Sequence, residues 1–384
     1  MSETESLAAW LRLTLIPGIG GGTQRKLLAA FGLPDAIFAA GSSALRGVIG
    51  EKAVNLLRDS NNQASVEAAL AWSCLPDQHI VTLADTEYPQ MLLQIPDPPS
   101  VIYVRGRLDL LNRPALAIVG SRNPTAQGIQ NAERFAATFS EAGLVIASGL
   151  ALGIDAAAHR GALAAGGNTV AFIGTGIDRI YPARNRELAL EIAAKGAIVS
   201  EFPIGTPVCA SNFPRRNRLI SGFSRGALIV EAAVESGSLI TARLAAEQGR
   251  EVFAIPGSIH APQARGCHKL IKQGAKLVET AQDVLEELRW NVSNASSTAT
   301  EDPLQVSTAS PTAVSPEQEA VSQLLAAMSF DPCSTDDLAV RCGLTAEALS
   351  VMLLHLELDG RVASLPGGRY QRLSDFGEQI CLSP

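Results

Sequence analysis

From Ala115 onward, short apolar runs return at regular intervals: "ALAIVGS", "LVIASG", "TVAFIGTG", "AIVSEFP", "ALIVEAA" and "EVFAIPG". Each is continuously apolar rather than alternating, the pattern of strands buried on both faces. Each is followed by a stretch with the helical period. Short β-rich runs alternating with amphipathic helices specify βαβ units and a parallel sheet covered on both sides. "KLVE" is expected to add one more strand. The expected fold class is α/β, with an extended Rossmann-like parallel-sheet core over residues 79–290. Before it, residues 1–74 read as a small all-helical domain, and "LADTEYPQMLLQIPDPPSVIYVRG" is an extended, proline-punctuated entry to the core. After Trp290 the chain turns rich in Ser, Thr, Ala and Pro, which predicts a flexible linker over 291–315. Residues 316–384 then read as three helices with Ser and Thr caps followed by a Gly-Gly hairpin, a C-terminal winged-helix domain.

Composition narrows the function classes. Hydrophobic residues make up 47% of the 384 positions and aromatics only 5%, so the core is built mainly from Ala, Val, Leu and Ile. The N-terminus has no basic region before an apolar run, and no stretch holds the roughly 18 apolar residues that span a bilayer. A cytoplasmic protein with no membrane segment is expected. The six cysteines are scattered without a C-x-x-C pair, so reduced thiols are expected, with no zinc site or disulfide framework. No cofactor is expected: the G-x-G-x-x-G fingerprint, the phosphate-binding P-loop and the G-x-S-x-G elbow are all missing.

Charge sharpens the picture. The formal net charge is −7, yet "FPRRNRLISGFSRG" carries Arg215, Arg216, Arg218 and Arg225 and no carboxylate. It follows the fourth core strand, at the edge where parallel strands end and ligands of open α/β sheets bind. The turns at that edge are small: "GSRNPT", "SGLALGID", "GTGID" and "ESGSLITA". Gly120 and Gly149 admit close backbone approach, and helix N-termini there favour an anion. "DRIYPARNRELA" adds Arg179, Arg184 and Arg186. Arginine forks bind phosphate and aromatic faces stack on unpaired bases, so Phe213 and Tyr181 amid these arginines point to a single-stranded nucleic acid. Catalytic candidates are thin. Asp155 and His159 share a helix face at i and i+4, but Asp155 is read as a helix cap. Cys267 and His268 are adjacent and point apart. Glu201 and Glu231 could be catalytic only with a nucleophile or metal that the sequence does not display. Near the N-terminus, "LIPGIGGGTQRKLLAAFG" reads either as a helix-hairpin-helix phosphate contact or as a glycine-rich cap that only packs.

Taken together, "IVGSR", "SGLALGID…AH", "GTGIDRIYPARN", "SEFP", "FPRRNRLISGFS", "VEAAVESGSLITA", "GREVFAIPGS" and "GCHKLIKQGAKLV" resemble the DNA-processing protein A (DprA/Smf) family from roughly Leu83 to Val278. The resemblance implies an extended Rossmann fold that forms a homodimer and binds single-stranded DNA. It also implies protection of incoming strands in natural transformation and loading of the recombinase RecA onto them. The family's motifs fall on Gly120, Ser121 and Arg122 and on Phe213, Pro214, Arg216, Asn217 and Arg218. Gly149, Arg184 and Arg215 complete the expected DNA-binding set. Some members carry lysine after the Tyr-Pro pair. Here Ala183 stands there, which shifts that contact to Arg184. Arg122, Arg216 and Arg218 are expected to be exposed and to matter little for folding. Leu270, Ile271, Leu285 and Leu288 are candidate dimer contacts or core residues. The presumed recognition helix "TAEALSVMLLHLELDG" holds no Lys or Arg, which argues for a protein-contact module rather than a second DNA reader. The alternative is a nucleotide-binding or nucleotide-cleaving Rossmann-like enzyme, against which "IPGSIHAP" stands where such enzymes carry a P-G-G-x-G-T loop.

Overall fold

The computed structural model describes residues 3–290, 316–328 and 332–373. The expected linker at 291–315 lies outside the described residues. Five helices open the chain: α1 (Glu3–Thr14), α2 (Gly21–Phe31), α3 (Pro34–Ala39), α4 (Ser42–Asp59) and α5 (Gln63–Ser73). Leu13, Ile16, Ile19, Leu27, Ile37, Leu45, Val54 and Leu57 give them a core of their own. Trp10, Leu11, Val66 and Ala69 face the other way and are buried with Ile80, Val101 and Tyr103. The helical segment is thereby fastened to the sheet that follows it.

That sheet has nine strands. β1 (Gln78–Thr82) and β2 (Val101–Gly106) form an antiparallel margin, with the short α6 (Gln90–Leu93) between them. The parallel part comprises β3 (Ala115–Val119), β4 (Val145–Ser148), β5 (Thr169–Phe172), β6 (Ala197–Ser200), β7 (Gly226–Ile229), β8 (Glu251–Ala254) and β9 (Lys276–Leu277). "KLVE" does add a strand. The connecting helices are α7 (Ala126–Glu141), α8 (Ile154–Ala164), α9 (Arg186–Lys195), α10 (Asn212–Phe223), α11 (Ser238–Glu247) and α12 (Arg265–Lys272), with α13 (Ala281–Glu287) after β9. The spatial order is β1-β2-β6-β5-β4-β3-β7-β8-β9. The chain builds outward from β3 on one side, then crosses back through α10 to lay β7 on the other, which makes β3/β7 the switch point. All five β3 residues are buried. Ala115, Ala117 and Val119 pack with Leu219, Ile220 and Phe223 of α10, while Leu116 and Ile118 pack with α7 and α8. A continuous apolar run with period-two facing is what two covered faces require.

The C-terminal described residues form α14 (Pro316–Ala327), β10 (Cys333–Ser334), α15 (Thr335–Cys342), α16 (Ala346–Leu358), β11 (Val362–Leu365) and β12 (Arg369–Arg372). The antiparallel sheet order is β10-β12-β11, the expected three helices and wing. Ser334 caps α15 in a reciprocal box with Asp337, and Thr345 caps α16. Among the described residues no single helix is long and apolar enough to cross a membrane, and the five described cysteines are free.

Of the two alternatives for Leu270, Ile271, Leu285 and Leu288, dimer contacts or core, the packing favours core, with Leu285 buried and the other three half-buried. Leu270 and Ile271 pack on the core under β8, and Leu285 and Leu288 belong to the opposite core layer. The exposed apolar residue of that region is Leu277, 41% exposed on the edge strand β9.

Candidate functional site

At the switch point the turns after β3 and β7 lead to helices on opposite faces of the sheet, leaving a crevice of about 470 Å³. Its walls are the turn Gly120–Asn123 after β3, Asp155 at the start of α8, Phe213, Arg216 and Asn217 of α10, and the turn into α11. Gly120 is forced by space. A Cβ there would lie 2.7 Å from Ile154 Cγ1 and 2.9 Å from the Glu231 carbonyl. The next amide, Ser121, donates to that same carbonyl at 2.7 Å, fixing the turn that carries Arg122.

Arg216 corrects an expectation. It is 4% exposed, and its Nη1 donates to the Phe172 carbonyl at 2.9 Å, at the end of β5. The guanidinium lies against Gly149, where a Cβ would come within 1.6 Å of Nη1. That overlap is why Gly149 must be glycine. Burial pulls the Arg216 pKa down to about 10, with the Asp155 carboxylate opposing the shift and Arg122 adding to it. Its Nε has no protein partner. Arg216 is therefore the charged floor of the crevice.

Asp155 differs from expectation as well. Gly153 occupies the cap position of α8, and no side chain caps it. Asp155 Oδ2 instead accepts from the Gly149 amide at 3.1 Å and from the Ala151 amide at 3.4 Å. Burial raises its pKa, and the Arg216 charge holds it back. Asn185 secures the same turn from outside, donating to the carbonyls of Leu150 and Ala151; Leu150 has a left-handed φ of 58°. His159, 0% exposed, bonds through Nδ1 to Thr169 Oγ1 at 2.7 Å. Burial, with the Arg216 and Arg160 charges, pushes its pKa down to about 3. Asp155 and His159 therefore serve separate networks. Cys267 and His268 do point apart. The thiol is buried against β7, its pKa pushed up to about 12 by burial, and His268 Nε2 bonds to the Gly257 carbonyl. Glu231 holds Thr125 through its amide and hydroxyl at 2.9 and 2.5 Å.

Over this floor stands a partly exposed layer. The Arg122 guanidinium lies 5.9 Å from the Phe213 ring centre, and Phe213 lies 5.7 Å from Tyr181 at a 43° tilt. Phe213 in turn rests on Gly174, and Asn212 Nδ2 donates to the Gly174 carbonyl at 3.1 Å. Arg122, Tyr181 and Arg184 are exposed; Arg184 sits on the turn after Tyr181, outside the crevice.

The helix divides the arginine segment. Residues 213, 216 and 217 face the switch-point crevice, while Arg215 and Arg218 face the other way. Arg218 is a second correction. Its side chain is 13% exposed, with Nε 2.9 Å from Asp97 and Nη2 bonded to Glu201. Arg215, 61% exposed, lies 4.0 Å from Glu201 and 5.1 Å from the Phe202 ring centre. The segment holds no carboxylate of its own, but the fold supplies two from other elements. Sequence reading missed Asp97, Asn185 and Asn212, whose partners are set only by the tertiary fold.

Comparison with known proteins follows the same lines. A family model described as DNA recombination-mediator protein A matches residues 79–289, and one described as the DprA winged helix domain matches 307–368. Protein Smf of Escherichia coli is 38% identical over 97% of this chain and 96% of its own. DNA processing protein DprA of Streptococcus pneumoniae is 47% identical over 54% of this chain and 74% of its own. The X-ray structure of the pneumococcal protein superposes with a TM-score of 0.64 at 37% identity, covering 75% of this chain and 98% of that one. DNA processing protein A from Helicobacter pylori, solved to explain its single-stranded DNA binding mode, gives a TM-score of 0.50 at 31% identity. That match covers 55% of this chain and 96% of that one.

Proposed function

Because the chain belongs to the DNA-processing protein A (DprA/Smf) family, we propose that it binds single-stranded DNA along the carboxyl edge of its parallel sheet. In this reading it protects incoming strands and helps RecA to load on them during natural transformation and recombination. The observation that carries the reading is the Arg122–Phe213–Tyr181 layer, exposed at Arg122 and Tyr181 and half-buried at Phe213, above a crevice whose floor is a buried guanidinium. Aromatic faces accept any unpaired base, and guanidinium groups neutralise the backbone. Duplex DNA keeps its bases stacked away from such a layer.

Roles divide by exposure. Arg122, Arg184 and Arg215 are the phosphate contacts. Gly120, Ser121 and Asn217 shape the crevice mouth, and Phe213 stacks. Arg216, held over Gly149, sets a positive potential from below. Arg218 braces α10 through Glu201 and Asp97. Asp155 and Glu231 are engaged in holding backbone amides, which favours binding over nucleotide cleavage. A homodimer through the free edge of β9 around Leu277 completes the reading, and sedimentation at micromolar concentration tests it.

The function is tested by titrating one 20-nucleotide sequence, single-stranded and annealed, by fluorescence anisotropy, alongside a nucleotide-hydrolysis assay. Tighter binding of the single strand without hydrolysis is expected. Equal affinity for the duplex, or hydrolysis that is lost in a crevice variant, would overturn the reading.

A further inference from the structure

On the far side of α10, at the same edge of the sheet, lies a second pocket of about 410 Å³. It is bounded by the glycine hairpin Gly20–Gly22 with Arg25, by Asp97, by Glu201, and by Arg215 and Arg218. It sits between the helical segment and the sheet, beyond the ends of β6 and β2. A shared core fixes the two together: Trp10 and Leu11 are buried with Val101 and Tyr103. Arg25 Nη1 donates to the Pro98 carbonyl at 3.3 Å, which tethers the hairpin to the loop bearing Asp97.

Two features of this pocket suit a ligand. The first is the N-terminus of α2, an eleven-residue helix that opens on Gly20 with no side-chain cap. Thr23 and Gln24 donate their amides to the Gly20 carbonyl, while Gly21 and Gly22 line the pocket with Arg25, an arrangement suited to an anion. The second is Glu201. Its side chain is only 5% exposed. Oε2 takes the Arg218 and Arg215 guanidinium groups, while the buried Oε1 has no partner. Nη1 of Arg218 is likewise buried and unpartnered. A carboxylate accepts only and a guanidinium donates only, so Glu201 Oε1 suits a donor and Arg218 Nη1 an acceptor. Inorganic phosphate suits the hairpin, but its negative charge is repelled by the Glu201 carboxylate. A nucleobase edge supplies both functions, guanine most fully, with ring and exocyclic N–H groups beside a carbonyl.

From this geometry we propose a second nucleotide subsite, with the base edge on Glu201 and Arg218 and the phosphate at the Gly21–Gly22 amides and Arg25. Asp97, 43% exposed at its side chain and paired to Arg218, bounds the base end. The nucleotide comes either from the bound strand or from free nucleotide. The first source rests on the single-strand reading above, in which the strand crosses α10 between the pockets. The ends of β6 and β3 are three inter-strand steps apart, about 14 Å along the edge.

Gly22→Asp tests the subsite without threatening the fold. A Cβ at Gly22 meets nothing within 4 Å, and a carboxylate in the first turn favours the helix. The variant should keep or raise Tm while placing a negative charge where the phosphate sits. Affinity for a 20-nucleotide strand should fall about 5-fold, the factor for two like charges about 4 Å apart in water. Arg25→Ala should lower it similarly. Deoxyguanosine monophosphate, titrated by calorimetry, should bind the wild type at least about 10-fold tighter than inorganic phosphate, reflecting hydrogen bonds to charged groups, and Gly22→Asp should weaken it. Losses on the strand assign the subsite to the strand's path. Losses confined to the mononucleotide assign it to free nucleotide. If both variants bind strand and mononucleotide as the wild type does, or if the mononucleotide binds no better than phosphate, the subsite is refuted. Arg122→Ala in the same titrations separates that failure from failure of the strand reading, because it weakens strand binding whether or not the second pocket is used.

Discussion

Replacing Arg216 by alanine separates what the arginine segment does for the fold from what it does for the ligand. The side chain is 4% exposed and gives a hydrogen bond to the Phe172 carbonyl. Its removal strands a buried acceptor at the end of β5, takes the nearest counter-charge from Asp155, and empties the space over Gly149. A hydrogen bond involving a charged group contributes about 1.5–3 kcal/mol, and truncating a buried aliphatic stem adds about 1–2 kcal/mol. Desolvation of the guanidinium in the wild type offsets part of this, so a net loss of about 2–4 kcal/mol is expected. For a domain of about 200 residues that lowers Tm by about 4–15 °C. The assay is thermal and urea unfolding of the full chain, with Arg122→Ala, an exposed position, as the control expected to stay within about 0.5 kcal/mol of wild type. Arg216→Lys keeps the charge and should recover part of the loss. An Arg216→Ala variant melting within 2 °C of wild type would refute the assignment of this guanidinium to the floor of the crevice.

Other consequences are open to direct measurement. His159 is buried and neutral with a pKa near 3 against 6.5 for the free side chain, so the unfolded chain binds a proton that the folded one refuses. Stability is fully present above about pH 6.5 and falls on acidification towards pH 3, by at most about 1.4 kcal/mol per pH unit. The raised carboxyls of Asp155, Glu201 and Glu231 titrate with the opposite sign, so the difference between wild type and His159→Asn isolates the histidine; superimposable pH profiles would disprove it. Glu201→Ala leaves Arg218 with only the partly exposed Asp97 and should cost about 2–4 kcal/mol, read by urea denaturation, with an unchanged midpoint contradicting the brace. Ending the chain after Trp290 should leave single-strand affinity within a few-fold of wild type, because α16 carries no Lys or Arg. A ten-fold loss in anisotropy would give the winged helix a DNA role.

The sheet and its order of elements were legible because each strand is a continuous apolar run and each helix keeps its period. β3 shows why: two covered faces leave no polar position in "ALAIV". The small turns marked the carboxyl edge of the sheet for a similar reason, since Gly120 and Gly149 answer to steric demands that favour glycine. Exposure was not legible. Four arginines in "FPRRNRLISGFSRG" look alike in one dimension, yet helical rotation sends Arg216 under the sheet edge and Arg218 against Glu201, seventeen residues earlier. The partners that pull them in, the Phe172 carbonyl and Asp97, belong to elements brought together only by the β2–β6 and β5–α10 packing. The leucines after Cys267 were ambiguous in the same way. The helical period of α12 marks one apolar face, and that face turns out to cover β8.

The salt dependence of single-strand binding by wild type and Arg122→Ala is the most direct test of the central claim. Each phosphate neutralised on a single strand contributes about 0.7 to the log–log slope of affinity against salt. Arg122 is exposed, stacked beside Phe213 and free of any ion pair within 4 Å among the described residues, so its charge is available to one phosphate. Arg122→Ala should bind more weakly at every salt concentration, with the slope reduced by about 0.7 and no dependence on base sequence. A variant that stays folded and keeps both the affinity and the slope of the wild type would contradict the placement of the strand along this edge.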